Sequence, residues 1–144
     1  MNAIDKATGK KDEQIHVKVK LAALWAALMF LYIYADIFSM FRPGHLEEMI
    51  SGRMGPFPVT QGSLLTASVL MLIPAVMVFL SVFLGAKVCR WVNILLGVIY
   101  TAVNVGNLVG ETWAFYLLYA AAEMAITLLI VWCAWTWTKP ESQP

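Results

Sequence analysis

Two carboxylates stand inside apolar runs. Asp36 falls in LYIYADIFSM, residues 31–40, and Glu123 in YLLYAAAEMAITLL, residues 116–129. A charged group at the centre of a membrane span costs about 2.5–3.5 kcal/mol on insertion scales, so it tends to face a partner, a cavity or a ligand. The chemistry open to such a carboxyl is proton exchange or the holding of a cation. Glu123 also has company at helical spacing. Thr112, Tyr116, Tyr119 and Glu123 share one helix face, and Asn93, Gly97, Tyr100, Asn104, Asn107 and Glu111 follow a similar rhythm on another segment. Tyr32 precedes Asp36 by one helical turn. If these stripes face one another, one half of a helix bundle has a polar interior open to the outside. Glu123 then forms its floor and Asp36 its mouth. Tyr32, Tyr100, Tyr116 and Tyr119 line it, with Asn104 and Asn107 at about the depth of Asp36.

Packing is the competing explanation. Asn and Tyr bond across membrane helices at about 0.6–2 kcal/mol per contact and need no ligand to account for them. For Asn104 and Asn107 packing outweighs binding, and at Asp36 the two are balanced. At Glu123, near the midplane, depth favours function. No Lys or Arg lies within the apolar runs to neutralise it, which leaves tyrosines, asparagines or a ligand. His45 and Glu48 are one turn apart and with Asp36 and Glu111 offer nitrogen and oxygen donors, but they lack zinc-motif spacing, so no metal site is assigned. GxSxG, P-loop, GxGxxG and HExxH patterns are absent, no catalytic residue is assigned, and the cofactor question stays open. Cys89 and Cys133 form no CxxC pair and read as ordinary small residues.

The elements that must position these residues are helices. The chain is 60% hydrophobic and 13% charged, against about 25% charged in a typical soluble domain. Its apolar residues gather in four blocks, 21–41, 62–85, 91–109 and 112–138. Each reaches about the 20 residues that cross a bilayer, where backbone groups must bond within their own segment. The expected fold is all-α, a four-transmembrane-helix bundle spanning 16–138. A short amphipathic helix over 45–51 is expected in the first outer loop, from Leu46, Met49 and Ile50 at helical spacing. Residues 1–15 read as a disordered tail and 139–144 as a second tail. Block 21–41 is too long for a signal-peptide core and should remain as the first span. Pro74 predicts a kink near residues 70–74.

Basic residues set the orientation. Lys6, Lys10, Lys11, Lys18, Lys20, Lys87, Arg90 and Lys139 flank one side, and only Arg42 and Arg53 the other. The positive-inside rule places both termini and the 86–90 loop in the cytoplasm. Trp91, Trp132, Trp135 and Trp137 would mark the inner interface and Trp113 the outer one. Partners are then the lipid bilayer and a second copy of the chain, packed through Gly97 or residues 120–122. Nucleic-acid binding has no support beyond the basic N-terminal tail, which more simply meets anionic lipid.

The segments KVKLAALWAALMFLYIYADIFSMFRPG, IPAVMVFLSVFL, RWVNILLGVIYT and FYLLYAAAEM resemble an uncharacterised family of small bacterial four-span membrane proteins, over about residues 17–138. The most specific parts, YIYAD and YAAAE, carry Asp36 and Glu123. The resemblance implies a multi-pass protein of the bacterial inner membrane and brings no activity with it. A more distant architectural likeness is to DoxX-like four-helix proteins, some linked to quinone-dependent enzymes. The first expectation for function is binding or transport of a small polar or cationic solute at Glu123 and Asp36. The alternatives are a small redox subunit that binds a quinone-like molecule, and a structural or partner-binding membrane protein.

Overall fold

Helices and one short hairpin make up the chain: α1 (Ala3–Met40), α2 (His45–Ile50), β1 (Arg53–Met54), β2 (Phe57–Pro58), α3 (Gln61–Phe83), α4 (Ala86–Asn107) and α5 (Ala114–Thr136). The computed structural model describes residues 3–137, with side chains from His16 onward except that of Met54. The C-terminal tail assigned to 139–144 lies outside the described residues. Within them the architecture is the expected all-α one. The spans His16–Met40, Gln61–Phe83, Ala86–Asn107 and Ala114–Thr136 are each long and apolar enough to cross a membrane.

The surface shows what solvent this fold requires. Phe30, Leu65, Phe83 and Leu118 are each more than 60% exposed, and Leu72, Leu95, Leu128 and Trp132 are turned outward as well. Apolar patches of that extent are rare on a soluble monomer. α3 makes its outward hydroxyls compatible with lipid by bonding them to its own backbone. Thr66 donates to the Gly62 carbonyl at 2.9 Å and Ser68 to that of Leu64 at 2.8 Å.

α1 is the central element, packing on α3 at one side and α5 at the other, and α5 in turn packs on α4. α3 and α4, though consecutive, approach each other little in backbone. Side chains bridge that gap: Tyr100 and Asn93 of α4, Met77 and Ser81 of α3, and Trp25 of α1 are all buried. Gly97 brings α4 close to α5. A Cβ placed there would lie 2.7 Å from Val131 Cγ2 and 3.4 Å from both Ile130 Cγ2 and the Thr127 carbonyl. Gly97 and Ala120 are buried within the chain, whereas Ala121 is exposed and Ala122 half-buried.

Two corrections concern the chain's basic end, where Lys18, Lys20, Lys87 and Arg90 gather. α1 begins at Ala3, so residues 3–15, expected to be a disordered tail, are helical. The stretch carries the helix formers Ala3, Ala7, Lys6, Lys10, Lys11, Glu13 and Gln14, and extending a helix already nucleated by the first span avoids the cost of a new nucleus. Trp91, Trp132 and Trp135 are exposed as interfacial anchors would be, but Trp137 is only 5% exposed and belongs to the core with Leu21, Trp25 and Cys89. Lys18 Nζ donates to the Val82 carbonyl at 3.3 Å and to that of Leu84, satisfying the last turn of α3.

At the opposite, loop end, α2 occupies the expected place, and Gly52 leaves it at φ +83, a left-handed conformation suited to glycine. Its apolar Leu46 and Ile50 are uncovered by the rest of the chain. The hairpin pairs Arg53 with Pro58 and Met54 with Phe57. Thr60 then caps α3 reciprocally: its hydroxyl accepts from the Ser63 N–H at 3.1 Å, and Ser63 Oγ accepts from the Thr60 N–H at 2.9 Å.

Candidate functional site

Glu123 is buried in mid-α5, 6% exposed, and makes no hydrogen bond to any described residue. α1 brings Tyr32 and Asp36 within electrostatic reach of it, and Tyr116 approaches from about two turns up its own helix. α4 contributes Asn104, fully buried, whose Oδ1 accepts the Tyr32 hydroxyl at 2.8 Å. The Asn104 Nδ2 is buried with no acceptor. An unpaired buried donor costs about 1–3 kcal/mol, so the Asn104 amide is an anomaly for a purely structural core. Asp36 itself is exposed at the bundle surface and feels His45 at the start of α2.

Tyr32, Tyr116 and Asp36 thus lie within electrostatic reach of Glu123, and Asn104 is bonded to Tyr32, while Asp36 stays exposed. The structure places the other three candidates elsewhere. Asn107 is the exposed last residue of α4. Tyr119 is half-buried against Phe38, with ring centroids 6.1 Å apart. Tyr100 turns to α3 and donates to the Leu70 carbonyl, which Pro74 leaves without its usual i+4 donor.

Sequence reasoning missed a second buried polar cluster, toward the basic end. Trp25 Nε1 donates to Asn93 Oδ1 at 2.7 Å, Ser81 Oγ donates to the same oxygen at 3.4 Å, and Asn93 Nδ2 donates to the Cys89 carbonyl at 2.8 Å. Cys89 Sγ donates to the Ser81 carbonyl at 3.2 Å. The signal available was the shared depth of Trp25 and Asn93, each a little way in from the basic end. Nearer Glu123, Thr101 Oγ1 donates to Thr127 Oγ1 at 2.9 Å across the α4–α5 seam. Among the described residues no three His, Cys, Asp or Glu side chains come together in a way that could hold a metal ion.

The loop end closes on an ion pair. Arg42 Nη1 donates to Glu111 Oε2 at 2.8 Å, and its guanidinium lies 5.0 Å from the Trp113 ring centroid. Glu111 Oε1 accepts the backbone N–H groups of Thr112 at 2.8 Å and Trp113 at 3.0 Å, just ahead of α5. Partial desolvation works against the Glu111 carboxylate, but those N–H groups and Arg42 outweigh it and hold its pKa below the usual 4.5. A depressed carboxyl pKa stabilises the fold above the unfolded pKa, and that contribution is lost as pH falls through the folded value. Acid unfolding in detergent should therefore begin at higher pH-normalised stability in wild type than in Glu111→Gln, whose melting temperature should change less with pH below 4.5. Equal acid limbs in the two proteins would refute this.

Four apolar spans around a buried polar layer define a multi-pass membrane protein. The chain belongs to a family of unknown function, DUF6326, whose model matches residues 11–143. No curated protein and no solved structure matches the chain. The comparisons add nothing to the likeness to DoxX-like proteins.

Proposed function

We propose that the protein binds a small polar or cationic species at Glu123, in a site reached from the loop end past Asp36, and that it does so in a bacterial inner membrane with its basic end in the cytoplasm. The observation that carries this reading is the Glu123 carboxyl, 6% exposed in mid-span and without a hydrogen bond to any described residue, with a buried Asn104 amide lacking an acceptor on the helix packed against α5. A core built only for packing would pair such groups or replace them with apolar ones. The orientation rests on the grouping of Lys18, Lys20, Lys87 and Arg90 at one end.

A packing role has its own support at Tyr100, Asn93, Thr101 and Thr127, all of which find partners inside the bundle. The two readings separate at Glu123. Purified protein is to be melted across a pH series and against sodium, calcium, tetramethylammonium and small polyols. A species bound at 100 times its Kd stabilises by about 2.7 kcal/mol. Glu123→Gln should keep the fold and lose the response. A Gln variant with an unchanged response would remove Glu123 from the site.

A further inference from the structure

We propose that the outer surface of the bundle holds one anionic phospholipid of the leaflet at the basic end, with its head group at Lys20 and its two acyl chains on either side of Leu129. The site is separate from Glu123 and does not depend on it. Its first half is a hollow of about 350 Å³ in the seam between α1 and α5, lined by Lys20, Ala23, Leu24, Leu129 and Cys133. Small side chains leave it open: Ala23 is exposed on α1, and Cys133 is half-buried on α5. The second half is a hollow of about 600 Å³ on α5, walled by Leu128, Leu129 and the exposed Trp132 and Trp135. It lies on the α4 side, because Val131 on its wall also packs on Gly97. Leu129 is the one residue the two hollows share, so a molecule with two chains fits them as a pair.

Depth and charge identify the head group. Lys20 lies about 6 Å inside the start of the span His16–Met40, and Cys133 about 5 Å inside the end of Ala114–Thr136. The hollows therefore begin just beneath the head-group layer. Of the basic side chains at this end, Lys18 gives its ammonium to carbonyls at the end of α3, and Arg90 Nη2 donates to the Trp135 carbonyl at 3.0 Å. Lys20 is exposed, makes no such bond among the described residues, and is the only charged side chain on either hollow. A lysine facing lipid lays its stem along apolar surface and sends its ammonium to the head groups, where it meets phosphate. Exposed His16, one turn further out, adds an N–H donor. A zwitterionic lipid brings its own cation toward Lys20 and an anionic one does not, so the pairing favours the anionic head.

Alkylation of Cys133 by N-ethylmaleimide in detergent, with phosphatidylglycerol or phosphatidylcholine of identical chains added, tests this. Cys89 is fully buried and serves as the unreactive reference. At ten times its Kd phosphatidylglycerol should slow Cys133 about tenfold, and phosphatidylcholine at the same concentration about twofold at most. Lys20→Gln should abolish the difference. Lys87→Gln, exposed and outside both hollows, should keep it. Every variant retains the lysines of the N-terminal tail, so attraction to that tail is common to all. Ala23→Phe, which fills the seam, should lose the lipid adduct in native mass spectra at unchanged melting temperature in lipid-free detergent. Equal protection by both lipids, a preference that survives Lys20→Gln, or one that Lys87→Gln removes as completely would overturn the site. So would an adduct retained by Ala23→Phe. Glycerol phosphate as protective as the lipid would replace it with a free-anion site, and a wild-type dimer that shields Cys133 without lipid would give the seam to a second copy; either result overturns the proposal.

Discussion

Gly97→Leu is expected to destabilise the bundle by about 3 kcal/mol or more, the upper end of what overpacking costs. The reason is distance. Even the first atom of a side chain at position 97 would meet Val131 Cγ2 at 2.7 Å, with the Thr127 carbonyl at 3.4 Å behind it. Val131 is β-branched and has few rotamers to retreat into on a helix. In lipid, helix association depends on close packing and interhelical hydrogen bonds, because burial from water contributes nothing between the spans. Spreading α4 from α5 would also lengthen the Thr101–Thr127 bond, now 2.9 Å. Gly97→Ala gains roughly 1 kcal/mol in helix propensity and so should lose less. Val131→Ala removes the clashing methyl and should restore most of the stability of Gly97→Ala. Reversible unfolding in mixed detergent micelles measures all three. A Gly97→Leu protein as stable as wild type would show that the seam is looser than these distances imply.

The glycine illustrates which features were legible. Helix number, the spans and α2 follow from apolar block length and periodicity, because a bilayer imposes both. The shared stripe of Tyr116 and Glu123 was legible too, since it holds wherever α5 sits. The failures all required a helix's rotation or neighbour. Asn107 lies on the Asn104 stripe, yet at the end of α4 it is exposed, where α5 has not begun to cover it. Gly97 is equally compatible with a face toward a second copy or toward α5, and only packing decides. Trp137 has the composition of an interfacial anchor, but α5 turns it into the core. Residues 3–15 lack apolar periodicity, and the fold makes them helical because α1 continues into them, which a local reading cannot see.

Tyr100→Phe should cost about 1–3 kcal/mol, and the cost should depend on Pro74. The two residues are one unit. Pro74 has no N–H, so the Leu70 carbonyl one turn earlier loses its helical donor inside a hydrocarbon medium. The Tyr100 hydroxyl supplies the missing donor from α4. Removing it leaves a buried carbonyl unsatisfied, whose penalty is about 1–3 kcal/mol. Pro74→Ala restores the backbone donor, and the phenol then has no carbonyl left to serve. In the Pro74→Ala background, Tyr100→Phe should therefore be close to neutral, giving a coupling energy about as large as the single-variant cost. Trp25, whose ring meets that of Tyr100 edge-on at 5.8 Å, keeps the aromatic packing in both backgrounds, so the cycle isolates the hydroxyl. Equal costs with and without Pro74 would mean that the hydroxyl serves something other than the proline's carbonyl. That outcome would return Tyr100 to the set of residues available to a ligand, where its place on the Asn104 stripe first put it.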